Sequence, residues 1–273
     1  MNDNALQKHS NPPRFPDPQS FFIWVPLYKE YDLRLCLADD AFAVEYFWGT
    51  IDAYCLDCKR YSVFRGSRMA YRSKTQYRED YLDDRQFTIE LTCTRNKDHH
   101  MEFYFIVRNG KISKVGQYPS LADLHEKEIQ KYRTILGLKY SEFARAIGLY
   151  AHGVGIGSFV YLRRIFEDQI EKAHERAQQD PNWDETTFQG KRVHEKIALL
   201  GRFLPEVMVK NANIYSILSK GIHELTEDEC LEYFTTVKSG VELILDEEIA
   251  QKEREKKIKD ITGEIARITG EIK

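Results

Sequence analysis

Cys55-Leu56-Asp57-Cys58, answered further along by Cys93-Thr94-Arg95-Asn96-Lys97-Asp98-His99-His100, decides how the first third of this chain folds. A C-x-x-C turn sets two thiolates on one tight loop. A second loop carrying a cysteine and a histidine supplies the remaining donors of a tetrahedral site. Cys55, Cys58, Cys93 and His99 are the expected ligands of Zn2+, with His100 as the alternate fourth. Four protein donors close the coordination sphere and leave no position for a substrate water, so the metal is expected to be structural. A coincidental set of cysteines is the competing reading of the same residues.

Around these loops the residues favour strands. Phe87, Ile89, Leu91 and Cys93 alternate with polar neighbours, and Phe103, Phe105 and Val107 do the same ahead of Asn109-Gly110. Asn-Gly readily takes the positive φ angles of a type I′ turn, which predicts a hairpin pairing 101–108 with 111–116. The expectation is a β-rich, zinc-ribbon-like domain over 19–118, preceded by a polar, proline-containing flexible arm over 1–18.

At Tyr118-Pro119-Ser120 the texture changes. Ser120 with Asp123 forms a capping-box-like start, and helical segments are expected at 120–137, 139–152, 156–178, 189–203, 206–220 and 226–260. Pro181 and Asn182 interrupt the run, Pro205 stands where a helix begins, and Thr226 with Glu229 caps the last long helix. An all-α domain thus spans 119–250. In 251–273, Ile258, Ile261, Ile265, Ile268 and Ile272 recur at spacings of three and four, a coiled-coil-like seam that predicts a homodimer contact or an intramolecular one. The fold class is α+β: a β-rich domain, a helical bundle and a C-terminal helix.

With 273 residues, 42% of them hydrophobic, the chain can bury enough for two domains. No apolar run approaches the roughly 18 residues of a spanning helix, and the N-terminus lacks a signal-peptide core, so a cytoplasmic protein without a membrane partner is expected. Cys36 and Cys230 read as ordinary buried small residues. A net charge of −3 gives no long-range attraction to nucleic acid. A local patch does exist: Lys59, Arg60, Arg65, Arg68, Arg72, Lys74 and Arg78 are interleaved with Tyr61, Phe64, Tyr71 and Tyr77. Cations for phosphates and rings for bases suit RNA or another single strand, and the alternative is a solvated hairpin with its rings turned inward.

Three further groups bear on chemistry. His152-Gly153-Val154-Gly155-Ile156-Gly157-Ser158 invites comparison with a phosphate loop, but it follows a helix and has no Gly-Lys-Ser/Thr ending, so close helix packing explains it better. Arg145 and His152 return to one helix face and, with His223, are the candidate catalytic residues of a metal-independent cleavage of RNA. Arg163, Arg164 and Glu167 form a structural polar node in the other reading, with Arg164 pairing Glu167.

The motif order resembles a known group. A zinc ribbon, then Tyr161-Leu162-Arg163-Arg164-Ile165-Phe166-Glu167, then Glu195-Lys196-Ile197 with Leu204-Pro205, then Ser219-Lys220-Gly221-Ile222-His223-Glu224-Leu225 is similar to bacterial zinc-ribbon-plus-helices proteins related to the HEPN superfamily. The resemblance covers roughly 140–248. It implies a HEPN-like helical bundle, usually dimeric, in ribonucleases or accessory subunits of toxin–antitoxin and antiviral defence systems. Active members carry Arg-x(4–6)-His, whereas only Lys220 precedes His223 here, without arginine's planar fork. The expected role is therefore a non-enzymatic sensor or accessory factor that binds nucleic acid or a protein partner. The alternatives are a HEPN-type ribonuclease and a purely structural dimeric interaction protein.

Overall fold

The computed structural model describes residues 15–67 and 73–272. Compact packing divides the chain into two units, 1–127 with 151–153, and 128–150 with 154–273. The first unit contains α1 (Pro18–Ile23), β1 (Glu30–Asp32), α2 (Ala38–Glu45), β2 (Trp48–Cys55), β3 (Arg60–Ser67), α3 (Lys74–Asp80), β4 (Arg85–Cys93), β5 (His100–Arg108) and β6 (Lys111–Tyr118). All six strands join one antiparallel sheet in the order β1-β6-β5-β4-β3-β2. Asn109 and Gly110 both take positive φ, 51° and 71°, and close the β5–β6 hairpin as the sequence predicts.

Alternation along the strands makes one face of this sheet apolar. Phe64, Ile89, Leu91, Phe103, Phe105 and Val107 are buried there. Phe22 from α1 packs among Phe47, Phe103 and Phe105 with ring centroids 5.0–6.0 Å apart. The expected hairpins are thus parts of one continuous sheet whose apolar face α1 and α2 help to cover. Of the expected flexible arm, residues 1–14 lie outside the described residues. Phe15 already packs edge-on against Phe21 and Tyr31, and Asp17 caps α1 through Ser20.

Two polar arrangements tie the helices to the sheet. Gln19 of α1 completes both backbone hydrogen bonds of Asp52 on edge strand β2, donating from Nε2 to the carbonyl and accepting the amide at Oε1, each at 2.9 Å. Buried Glu45, closing α2, accepts from the Tyr77 hydroxyl at 3.0 Å and from Arg85 Nε at 2.8 Å. Arg85 also donates to the carbonyls of Tyr81 and Asp83. Deleting one partner of a buried pair strands the other's charge, so Arg85→Ala is expected to cost about 3 kcal/mol in urea unfolding. A loss under about 1 kcal/mol would show that the cluster is dispensable.

The second unit is helical. It takes in the end of α4 (Leu121–Ile129), then α5 (Arg133–Leu136), α6 (Tyr140–Ala151), α7 (Gly155–Ala177), α8 (Glu185–Gln189), α9 (Val193–Leu199), α10 (Glu206–Lys210), α11 (Asn213–His223) and α12 (Glu227–Glu271). Ser120 with Asp123 and Thr226 with Glu229 make the expected caps. Of the helix expected over 189–203 only α9 (Val193–Leu199) forms, α8 having ended at Gln189, and that over 206–220 is α10 and α11, parted at Asn211-Ala212. The long helix expected to end near 260 runs unbroken to Glu271.

Phe159, Leu162 and Phe166 of α7 are buried, as are Phe234, Val237 and Val241 of α12, and the Tyr150 ring stacks on Phe234 at 4.1 Å. The glycine segment serves close packing here: a Cβ on Gly155 would lie 2.7 Å from the Glu227 carbonyl oxygen. The Glu227 carboxylate accepts from the amides of Gly155 and Ile156 and so caps α7. No described helix is long and apolar enough to cross a membrane.

Candidate metal centre

Sheet register brings the two cysteine loops together. Cys55 ends β2, Cys58 lies in the following turn, Cys93 ends β4, and His99 immediately precedes β5. Pairing of Phe64 with Cys93 across β3 and β4 sets the β2–β3 and β4–β5 turns side by side. Lys59 closes the first turn in the left-handed region at φ 55°.

The donor atoms of Cys55, Cys58, Cys93 and His99 all lie within 4.8 Å of one another. Cys58 Sγ is 3.9 Å from Cys93 Sγ and 3.2 Å from His99 Nδ1, and Cys55 Sγ is 3.7 Å from the same nitrogen. A tetrahedral ion with metal–sulfur bonds of about 2.3 Å needs S–S edges of about 3.8 Å and S–N edges of about 3.5 Å. The separations fit that cage, so these four side chains could hold a metal ion. His99 is the histidine the fold supplies. His100 is exposed, with Nδ1 3.3 Å from the Asp98 carbonyl oxygen and Nε2 3.6 Å from Glu102 Oε1.

Electrostatics of the cluster call for a cation. Burial, then the neighbouring sulfurs of Cys55 and Cys93, push the Cys58 thiol up to about 11. Burial also acts to raise Cys93, but backbone amides of Asn96 and Arg95 outweigh it and hold that thiol below the ordinary value. The buried Ser62 hydroxyl, without a hydrogen-bond partner of ordinary length, adds to this stabilisation of the Cys93 thiolate. Three crowded sulfurs can all ionise only if a positive ion sits among them. The Asn96 amide lies 3.1 Å from His99 Nε2 and orients the ring. A metal on Nδ1 places the ring proton on Nε2, so Asn96 must then present its oxygen, which otherwise accepts from the Asp98 amide at 3.0 Å.

Beside the centre, on the sheet face opposite the core, lies a groove of about 490 Å³ lined by Arg65, Ser67, Thr92, Cys93, Thr94 and Lys97. Arg65 was the expected member. Ser67, Thr92, Thr94 and Lys97 were missed, since only the β3–β4 register and the second loop reveal that they converge. Lys59 and Arg60 are exposed at the turn, while Arg78 leaves the patch to form a two-pronged ion pair with Asp39. Arg68, Arg72 and Tyr71 lie outside the described residues. Exposed Trp48 and Tyr61 share the outer face with Arg65, because Trp48 pairs with Ser67, Thr50 with Arg65 and Tyr54 with Tyr61. Phe64 and Tyr77 are turned inward and buried.

The remaining expected residues are scattered. Arg145 is exposed on α6 in the second unit, His152 follows that helix in the first unit, and His223 is exposed at the end of α11. Among the described residues the side chains of all three make no hydrogen bond or ion pair. In the polar node, Glu167 pairs with Arg163 rather than Arg164: Arg163 Nε lies 2.8 Å from Glu167 Oε1, and Tyr215 bonds both. Arg164 reaches Glu142 of α6 instead, at 2.9 Å. Cys230 is buried and bonds the Gly221 carbonyl, whereas Cys36 is only part-buried.

No family model, no curated protein and no solved structure matches this chain.

Proposed function

We propose that this is a non-enzymatic, zinc-stabilised binding protein that takes single-stranded nucleic acid on the outer face of its sheet. Zinc is the ion of choice for three thiolates and an imidazole at tetrahedral spacing, and four protein donors leave it no open position for catalysis. The groove beside that centre carries the reading. Arg65 and Lys97 meet there with the hydroxyls of Ser67, Thr92 and Thr94, and neither cation has a carboxylate partner among the described residues. Phosphates suit such a set of donors, and Trp48, 70% exposed, offers a ring for stacking on the same face. Glu90 faces Glu102 directly across β4 and β5, so a polyanion is confined to the β2–β3 side and the metal-bearing end.

The likeness of the helical motifs to HEPN proteins supports an accessory role in bacterial antiviral defence. His223 with Lys220 in place of an arginine speaks against cleavage as the primary activity. The test is fluorescence anisotropy with mixed-sequence single-stranded RNA and DNA across a salt series. Arg65→Ala with Lys97→Ala is expected to weaken binding at least tenfold and to flatten the salt slope by about 1.4, the contribution of two single-strand phosphates. Affinity unchanged in that double variant, or RNA cut by the native protein and spared by His223→Ala, would overturn the reading.

A further inference from the structure

α12 outruns the body it packs on. Every residue from 250 to 272 is exposed, including Ile258, Ile261, Ile265, Ile268 and Ile272 at 56, 59, 58, 42 and 79%. A lone helix of this length carrying Gly263 and Gly270 is marginal in water, and five isoleucines on one seam are poorly placed there. We propose that the same segment of a second copy covers this seam, running antiparallel.

Heptad positions and charge choose that partner and its direction. Ile258, Ile265 and Ile272 fall at a, and Ile261 and Ile268 at d. Isoleucine at both positions steers parallel assemblies away from two strands. A parallel pair also sets Lys257 against Thr262 and Glu264 against Thr269, forming no charge pair. Antiparallel, Ile258 meets Ile268 of the other copy and Ile261 meets Ile265. Lys257 then reaches Glu271 of the other copy at both ends, while the Arg254 stem lies over Ile272. Glu264 opposes its own counterpart once, at the two-fold axis. Sliding the copies by one heptad one way would oppose Glu264 to Glu271 twice and uncover Ile258, and sliding them the other way would pair Lys257 with Glu264 but set Ile265 against Arg254 and Ile272 against Glu247, so isoleucine overlap fixes the register. Gly263 and Gly270 fall on the outward f position, where a Cβ on either would meet nothing within 4 Å. Arg267 holds Glu264 and Glu271 from the flank of the same helix.

This register crosses near Gly263 and holds the two bodies about 40 Å apart along the helix axis. Light scattering of the full chain tests it, together with oxidative cross-linking of single-cysteine additions. The native chain is expected at twice the mass of one chain, and Ile265→Asp at the mass of one. Glu264→Cys is expected to give a covalent pair on oxidation, because position 264 faces itself only in the antiparallel register. A native particle of one or three chains, a pair that survives Ile265→Asp, or a pair cross-linked by Ile265→Cys but not by Glu264→Cys would overturn the inference.

Discussion

Cys93→Ser is expected to abolish stoichiometric zinc and to lower the unfolding temperature of the first unit by at least about 10 °C, a shift of a few kcal/mol for a domain of this size. The effect is large because β3 pairs with β4 over only Phe64–Gly66, and an ion held by the four donors would clamp the two turns at one end of that short seam. Without the ion, the Cys58 thiol at about 11 stays protonated at neutral pH. Loading therefore releases protons, and affinity falls as pH drops. Elemental analysis should find one zinc per native chain. A strong chelator at pH 7 should reproduce the melting shift of the serine variant. Native protein free of zinc that melts together with Cys93→Ser would remove the clamp from the account.

Lys114 gives the second large effect. Strand alternation points it inward beside Ile112, where it is fully buried, donating to the Phe22 carbonyl at 2.8 Å and to Gln117 Oε1 at 2.6 Å. Neither partner is a carboxylate, and burial lowers the amine from 10.5 to about 7. The sign follows from proton counting. Between pH 7 and 10.5 the unfolded chain keeps a proton at this position that the folded chain has lost, so stability rises with pH across that window, by up to about 1.4 kcal/mol per unit. Below pH 7 both states are charged and the folded state bears the whole burial penalty. Lys114→Met should therefore flatten the curve between pH 7 and 10, with its largest relative gain at pH 6 to 7. Metal-bound thiolates also make stability climb with pH, so the measured quantity is the difference between native and variant proteins in urea melts. A difference independent of pH would show that the amine is charged in the fold.

Local chemistry was legible and long-range pairing was not. The four donors could be read from spacing because a C-x-x-C turn gathers one pair and a Cys-to-His loop the other, although only the β3–β4 register sets the two loops side by side. Asn109-Gly110 and the caps at Ser120 and Thr226 were readable for the same reason. What escaped depends on register. Glu45 and Arg85 stand 40 residues apart, and nothing near either names the other. Arg163 and Arg164 both sit at spacings that reach Glu167, and only the position of Tyr215 on α11 and Glu142 on α6 decides between them. The groove beside the four donors was half visible. Arg65 stood out in a basic run, but Lys97 and Thr92 join it only through the sheet.

Gln19 carries a consequence for life at high concentration. β2 borders the sheet with eight residues and includes Trp48, a rim on which a strand from another molecule could grow. One carboxamide from α1 occupies the mid-strand Asp52 site, where an added strand would otherwise seat a pair of bonds. A strand growing across the middle of that border must therefore evict a side chain.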